Sequence, residues 1–339
     1  MAVAAYYEGE RRIRQGQCLP RPPSAGEVQL RVSHCGICGT DLHIFHGAMD
    51  ARVQMPLVMG HEMSGTVHAA GADVEGFTPG DRVVVMPLEP CHNCPACAAG
   101  HSHICHNLNF LGIDTPGAFQ SYWTVPAFSL HRVPASLSLR HGALIEPLAV
   151  ACHDVRLADV RAGDQVVVLG GGPIGMLVAL VARQAGADVL ISEINPYRVD
   201  LARRLSFAAL NPRDDDLLAT VLRRTGGAGA DIVFEVSGSQ AGASVMSELL
   251  RTRGLAVVVA IFAQPPKLDL FRFFWRELRL QGARVYESQD FAAAIELAAD
   301  GGLPLDELIT DVRPLSALQA GFEDMEKGGR FMKILLEVP

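Results

Sequence analysis

Four cysteines within one fifteen-residue stretch constrain this 339-residue chain more than any other feature. They lie in CHNCPACAAGHSHIC, with two, two and seven residues between successive cysteines. This spacing is too tight for a disulfide framework, whereas it suits four thiolates around one tetrahedral Zn²⁺ ion. The alternative is a loop of free or oxidised thiols. The sequence predicts a structural zinc site formed by Cys91, Cys94, Cys97 and Cys105.

Composition narrows the class of protein. The chain is 49% hydrophobic and 19% charged, which is typical of a globular protein, and its length allows two domains. A formal charge of −8 and the lack of a Lys/Arg run argue against a nucleic-acid partner. The first residues, MAVAAYYEGERRIRQGQ, form no apolar signal region, and no later stretch has the length of a membrane span. We therefore expect no membrane partner and a cytoplasmic protein whose cysteines stay reduced.

The pattern of predicted strands and helices divides the chain into three segments. Residues 1–151 contain short Val-rich strands broken by turn residues, which predicts a β-barrel or sandwich. Residues 152–284 alternate strands with long Ala- and Leu-rich helices, which predicts an α/β domain with a doubly wound parallel sheet. Residues 285–339 end in the strand-like run FMKILLEV, which we expect to return to the first segment.

A glycine-rich loop marks a dinucleotide site. In VVVLGGGPIG a buried strand is followed by G-x-G-x-x-G and then by an amphipathic helix. The first glycine allows a tight turn, the second lets a pyrophosphate approach the backbone, and the third lets helix and strand pack closely. The predicted phosphate-binding residues are Gly170, Gly172, Pro173, Ile174 and Gly175.

An acidic residue after the second strand indicates which dinucleotide binds. Glu193 follows Gly175 by 18 residues, where a carboxylate accepts hydrogen bonds from the ribose hydroxyls and repels a 2′-phosphate. This favours NAD over NADP. Arg198 is the opposing signal, because an arginine at this place can bind the 2′-phosphate of NADP. The alternative is that Arg198 lies on a solvated helix face.

A second set of metal ligands precedes the cysteine loop. Cys38 and His61 offer a thiolate and an imidazole, and Glu62 and Glu146 offer carboxylates. One Cys, one His and one or two Glu form a mixed site with an open position, which is typical of catalytic rather than structural zinc. A single Cys, His or Glu more often has no metal-binding role and simply belongs to the core or the surface. The prediction of a metal site therefore depends on the combination of these residues.

Together these motifs resemble those of the zinc-dependent medium-chain alcohol dehydrogenases, especially the sorbitol/polyol and threonine dehydrogenase branch. The resemblance rests on GHEMSGTVHAAGADV at 60–74, the four-cysteine loop, GGGPIG and FEVSG. It implies a GroES-like catalytic domain built from both ends of the chain and a Rossmann NAD-binding domain between them. It also implies one catalytic and one structural zinc per chain, and a homo-oligomer, either tetramer or dimer.

The resemblance assigns roles residue by residue. Cys38 and His61 match catalytic zinc ligands, and Glu62 matches the usual third ligand. Glu146 matches a residue that approaches the metal directly or through water. Asp41 matches a carboxylate that orients the ligand histidine.

Proton transfer and cofactor contacts follow from the same resemblance. Thr40 and His43 match a proton relay that runs from the substrate hydroxyl through the nicotinamide ribose to water. Lys333, in the last strand, has two interpretations: a residue close to the cofactor phosphates, or a solvated lysine.

The implied activity is hydride transfer from a secondary alcohol, namely a polyol, vicinal diol or sugar acid, to NAD. L-Threonine 3-dehydrogenase is the alternative within the branch. Val285 stands where sorbitol dehydrogenases carry an arginine, which argues against sorbitol itself. Phe110 and Trp123 are either walls of the substrate pocket or barrel core. Two further alternatives are a zinc-free quinone or enoyl reductase, and a non-catalytic zinc-binding structural or regulatory protein on the same scaffold.

Overall fold

A computed structural model describes every residue from Met1 to Pro339. The chain forms two compact units, one made of Met1–Glu146 with Glu287–Pro339 and the other of Pro147–Tyr286. None of its helices combines the length and the apolar composition that crossing a membrane requires.

The first unit contains most of the strands. Those before its long interruption are β1 (Val3–Tyr7), β2 (Ile13–Gln17), β3 (Glu27–Gly36), β4 (Glu62–Ala70), β5 (Arg82–Val85), β6 (Leu88–Glu89), β7 (Asn109–Phe110), β8 (Tyr122–Pro126) and β9 (Leu130–Arg132). Its short helices there are α1 (Gly39–Phe45), α2 (Pro95–Ala98) and α3 (Leu139–Gly142).

The second unit alternates strands and helices. It contains α4 (Ile145–Leu157, whose first two residues count with the first unit), β10 (Gln165–Leu169), α5 (Pro173–Gln184), β11 (Asp188–Ser192), α6 (Pro196–Arg204), β12 (Ala208–Leu210), α7 (Leu217–Arg224), β13 (Ala230–Glu235), α8 (Gln240–Leu249), β14 (Leu250–Val258), α9 (Leu270–Trp275) and β15 (Arg279–Gly282). The first unit then resumes with α10 (Ser288–Ala299), α11 (Leu305–Leu308), β16 (Ile309–Pro314), α12 (Leu318–Glu326) and β17 (Lys333–Glu337).

A seven-stranded sheet organises the first unit. Its order is β16-β17-β3-β4-β5-β9, with β8 also paired to β3. β3 pairs antiparallel with both β17 and β4, so the last strand of the chain lies beside the first long one. The run FMKILLEV thus contains β17, which pairs with a strand of the first segment.

The second unit is built on a six-stranded parallel sheet of order β12-β11-β10-β13-β14-β15. In order of appearance this is 3-2-1-4-5-6, the doubly wound arrangement in which the first two strand–helix units meet at a switch point. Its central strands are apolar throughout; in β10, for example, Val166, Val167 and Val168 are all buried. Strands covered by helices on both faces need such continuous hydrophobic runs, whereas one-sided strands alternate. The predicted α/β fold is confirmed.

Candidate functional site

The cysteine loop folds its four thiols into one cluster. Sγ of Cys94 lies 3.5 Å from that of Cys97 and 3.7 Å from that of Cys105, which is 3.4 Å from the Cys91 sulfur. A Zn–S bond of about 2.3 Å places the corners of a tetrahedron about 3.8 Å apart. The observed spacing therefore fits four ligands of one zinc ion.

The electrostatics of this cluster also suit a cation. The main-chain N–H of Asn93 and the side-chain amide of Asn107 lower the pKa of Cys91 to about 6. Burial and then the neighbouring thiols raise the pKa of Cys97 to about 12. Hydrogen-bond donors thus favour thiolate at Cys91, while burial and the neighbouring thiols disfavour it at Cys97. A dication bound by all four sulfurs would stabilise the thiolate form of each.

The second cluster lies at the start of α1 and β4. Ligand atoms of Cys38, His61 and Glu62 all lie within 4.8 Å of one another. His61 is 2% exposed and Glu62 is fully buried. Cys38 is the N-cap of α1, where its sulfur accepts a hydrogen bond from the Thr40 N–H at 3.5 Å. The helix start therefore fixes the position of the thiolate.

Asp41 links the thiolate to the imidazole. Its Oδ2 accepts a hydrogen bond from the Cys38 N–H at 2.9 Å, and its Oδ1 lies 3.5 Å from Nδ1 of His61. These last two atoms are buried and have no hydrogen-bond partner. Burial opposes a charge on His61, yet Asp41 and then Cys38 raise its pKa well above the usual value. The same negative field stabilises a metal ion, and Nδ1 turned toward Asp41 leaves Nε2 for that ion.

Gly36 and Lys333 both lie against Glu62. The sequence analysis did not single out Gly36, and one of its two interpretations of Lys333 was a solvated lysine. Gly36 faces Glu62 across β3 and β4, and a Cβ on Gly36 would lie 2.2 Å from the Glu62 Oε2 atom. Lys333 is only 4% exposed, and its Nζ donates to Oε1 and Oε2 of Glu62 at 2.8 and 2.6 Å. The interpretation of Lys333 as a solvated lysine is wrong. The available signal was a lysine inside an apolar strand, which requires a buried partner.

Glu146 also belongs to this neighbourhood. It lies in the first turn of α4, is 6% exposed, and its charge contributes to the raised pKa of His61. It is not among the three residues whose ligand atoms cluster. Glu62 therefore lies with Cys38 and His61 in one cluster, and Glu146 is within electrostatic reach of His61.

Thr40 and His43 share one face of α1, because residues three apart on a helix are neighbours. Both side chains are partly exposed, unlike the buried Asp41 on the same helix. The ring of Phe110 packs edge-on against the His61 ring with centroids 5.3 Å apart. Phe110 therefore shields the imidazole.

The glycine-rich loop connects β10 to α5. Gly170 has a φ of +105°, which strongly favours glycine, and a Cβ on Gly175 would lie 1.8 Å from the Gly170 carbonyl oxygen. Gly172 is the N-cap of α5, and Pro173 and Ile174 follow in its first turn. The free N–H groups at this helix start can bind phosphate.

Glu193 and Arg198 lie beside this loop. Glu193 accepts hydrogen bonds from the N–H groups of Gly171 and Asn195, each at 2.7 Å. Nη1 of Arg198 is 4.0 Å from Glu193, and the buried Nε of Arg198 has no hydrogen-bond partner. Glu193 is 6% exposed, and the Arg198 guanidinium lies beside its carboxylate.

Comparison with known proteins places these features in a family context. The model of the alcohol dehydrogenase GroES-like domain matches residues 24–135, and that of the zinc-binding dehydrogenase matches residues 173–300. The 2-dehydro-3-deoxy-L-galactonate 5-dehydrogenase of Pseudoalteromonas atlantica (strain T6c) is 52% identical over 334 residues, which cover 98% of each chain.

More distant relatives share the same length. The L-threonine 3-dehydrogenase of Anaeromyxobacter sp. (strain K) is 32% identical, covering 92% of this chain and 91% of its own. The solved 2R,3R-butanediol dehydrogenase from Bacillus subtilis superposes with a TM-score of 0.91 at 31% identity and covers 99% of both chains.

Proposed function

This chain belongs to the zinc-dependent medium-chain dehydrogenase family, and we propose that it oxidises a secondary hydroxyl group of a sugar acid. It is an oxidoreductase acting on CH–OH groups with zinc and NAD, as the sequence predicted. The observation that carries the assignment of a zinc-dependent oxidation is the cluster of Cys38, His61 and Glu62, whose ligand atoms lie within 4.8 Å of one another.

The ligand set explains how the hydroxyl is activated. Cys38, His61 and Glu62 would hold a zinc ion through one thiolate, one imidazole and one carboxylate, and the ion would supply Lewis-acid chemistry that lowers the pKa of the substrate hydroxyl. Asp41 fixes the orientation of His61, and the N-cap geometry fixes Cys38. We assign Glu62 as the third ligand and Glu146 as a nearby carboxylate that can replace it.

Residues of α1 carry the proton away. Oγ1 of Thr40 would accept a hydrogen bond from the substrate hydroxyl, and the relay that includes the nicotinamide ribose would end at His43, three residues further along α1. His43 is partly exposed and can release the proton to water. Gly170, Gly172 and Gly175 let the cofactor pyrophosphate approach the start of α5.

Replacing His43 with Ala should lower kcat by roughly 10²-fold near neutral pH, because a general acid–base group contributes about 10²–10⁴-fold. The loss should shrink at high pH, where hydroxide accepts the proton directly. A pH profile of kcat measures it. A uniform loss at every pH would assign His43 a structural role instead.

The sugar-acid assignment rests on the degree of similarity. The relative named for a deoxy-keto-galactonate is 52% identical, whereas the relative named for L-threonine is 32% identical. A pocket that binds a short hydroxylated acid suits either compound, so threonine remains the second candidate.

A substrate panel tests this choice. Zinc-loaded protein is assayed for NAD reduction with 2-dehydro-3-deoxy-L-galactonate, L-galactonate, xylitol, 2,3-butanediol and L-threonine. We expect kcat/KM to be at least about tenfold higher for a hexonate, a difference of about 1.4 kcal/mol in transition-state binding. A higher kcat/KM for L-threonine would reassign the substrate, and no turnover with any compound would contradict the sugar-acid, polyol and threonine assignments.

Glu193 should determine the choice of cofactor. Replacing it with Gln removes the charge and keeps the shape, so the ratio of kcat/KM for NAD over NADP should fall about tenfold or more, since hydrogen bonds to charged groups contribute about 1.5–3 kcal/mol. Arg198→Ala is the matched change on the opposing residue and should lower activity with NADP. An unchanged ratio in the Glu193 variant would remove its assigned role.

We propose that the enzyme is a homo-oligomer, dimer or tetramer, that pairs through the edge of the parallel sheet. β15 ends the sheet and all four of its residues are exposed. Beside it in the chain, Phe271, Phe274 and Trp275 of α9 are 68%, 76% and 71% exposed. An unpaired edge strand next to exposed aromatics suits a second copy of the same surface. Sedimentation equilibrium tests it, and a monomer at micromolar concentration would contradict it.

We place the enzyme in the cytoplasm. All eight cysteines are free thiols, and two clusters depend on thiolates for metal binding. Reduced thiols persist in a reducing compartment. Fractionation of cells with an antibody to the chain tests the location, and recovery outside the cytoplasm would contradict it.

A further inference from the structure

Lys333 is a buried cation whose hydrogen-bonding capacity is fully used. Its Nζ donates to Oε1 and Oε2 of Glu62 at 2.8 and 2.6 Å and to the Ile37 carbonyl oxygen at 3.2 Å. An ammonium group has three donors, and these contacts account for all three. The side chains of the pair are 4% and 1% exposed, so the charges meet away from water.

Three neighbouring strands create this pair. β17 carries Lys333, β3 lies between, and β4 begins at Glu62. Gly36, at the end of β3, leaves the space that the Glu62 carboxylate occupies, since a Cβ there would lie 2.2 Å from Oε2. The sheet register therefore directs Glu62 toward Lys333 as well as toward the metal ligands.

The pair is part of a larger group of charges. Besides Glu62, the Cys38 thiol and the Glu146 carboxyl lie within electrostatic reach of the Lys333 ammonium. Asp41, also fully buried, lies close enough to Lys333 for their charges to interact. Several acidic groups thus surround one ammonium at the point where a dication would bind.

We propose that Lys333 is the internal counter-ion of the catalytic metal centre and the positioning residue for Glu62. It holds Glu62 by both oxygens, stabilises the acidic cluster before metal binds, and opposes the attraction of Glu62 for the metal. The Glu62 carboxylate is then shared between Lys333 and the metal. This inference rests on the proposed metal centre.

The test is the affinity of the catalytic site for zinc. Lys333→Met keeps an unbranched side chain one atom shorter and removes the charge. The ammonium repels a dication and competes with it for the Glu62 carboxylate, so its removal should tighten zinc binding by at least about tenfold. The same change leaves Glu62 without its cation, and the melting temperature of the metal-free protein should fall by roughly 5–10 °C.

The chain supplies a matched control. Lys327→Met makes the same charge change at a side chain that is 70% exposed, and should alter neither zinc affinity nor melting temperature. Competition with a chromophoric chelator at pH 8 measures the affinity, with the four-cysteine site, common to all variants, as internal reference. Substitution of Co²⁺ for zinc gives a second readout, because a more strongly bound Glu62 shifts the d–d absorption bands.

A double variant tests whether Lys333 acts through Glu62. On a Glu62→Gln background, Lys333→Met should change zinc affinity less than threefold, because the carboxylate that it restrains is gone. Unchanged or weaker zinc binding in Lys333→Met alone would overturn the proposal and leave Lys333 a purely structural residue. An equal effect with and without Glu62 would also overturn it. Absence of zinc from the wild-type cluster would instead contradict the proposed function.

Discussion

Replacing Cys38 with Ser should lower kcat by about 10³-fold or more and reduce the bound zinc from two ions per chain to one. Lewis-acid activation supplies several kcal/mol of transition-state stabilisation, and each 1.36 kcal/mol is a factor of ten in rate. A serine hydroxyl is a poor replacement for a thiolate as a zinc ligand, because it stays protonated near neutral pH. Elemental analysis and steady-state kinetics measure both effects.

This substitution separates chemistry from folding. Cys38 is also the N-cap of α1, and serine is among the preferred residues at that position. The helix that carries Thr40 and His43 therefore keeps its N-cap. The substitution should not destabilise α1, and the melting temperature of the variant with zinc in its cysteine loop should change little. Cys18→Ser removes a half-buried thiol outside both clusters and should leave zinc content and kcat unchanged. Two zinc ions with normal turnover in the Cys38 variant would refute the catalytic assignment.

Spacing in the sequence was enough to predict the parts of the site that lie close together in the chain. The cysteine loop and the turn from Gly170 to Gly175 are each formed by residues that are close in the chain. The spacing of the ligands and the positions that need glycine can therefore be recognised in the sequence. The resemblance to the family also identified Asp41, which lies three residues after Cys38 and bonds back to its N–H.

The register of the sheet could not be predicted from these sequence patterns. The contact between Lys333 and Glu62 spans 271 residues, and it exists because β17 and β4 flank β3. The space that Gly36 leaves for the carboxylate depends on the same pairing. A strand pattern alone indicates which face is buried but not which residue lies opposite, because register is set by tertiary packing.

The buried lysine also shows why composition rules fail at such a site. Lysine is almost never fully buried unless it is paired. Because the sequence showed no partner for Lys333, one of its two interpretations was a solvated lysine. In the structure the partner is an acidic residue from a distant strand, and the pair replaces hydration with three hydrogen bonds. Functional sites are where such local preferences are most often overridden.

Replacing Cys94 with Ser should remove the structural zinc and destabilise the loop from Cys91 to Cys105. Cys94 is buried; its sulfur contacts two other cysteine sulfurs and accepts a hydrogen bond from the His106 N–H at 3.4 Å. Structural zinc contributes about 10–16 kcal/mol of apparent binding energy in small zinc peptides. Part of that stabilisation should be lost here, and the melting temperature should fall by more than about 10 °C.

The two zinc sites should respond independently to substitution. The Cys94 variant should keep one zinc ion and, below its lowered melting temperature, a kcat near that of the wild type, because the catalytic ligands come from α1 and β4 rather than from the loop. The Cys38 variant should show the reverse pattern, with low kcat and a melting temperature close to normal. Zinc content, kcat and melting temperature should be measured in both variants, with Cys18→Ser as the common control. Loss of both ions in either variant would mean that the clusters are energetically coupled, and the assignment of one catalytic and one purely structural ion would then be wrong.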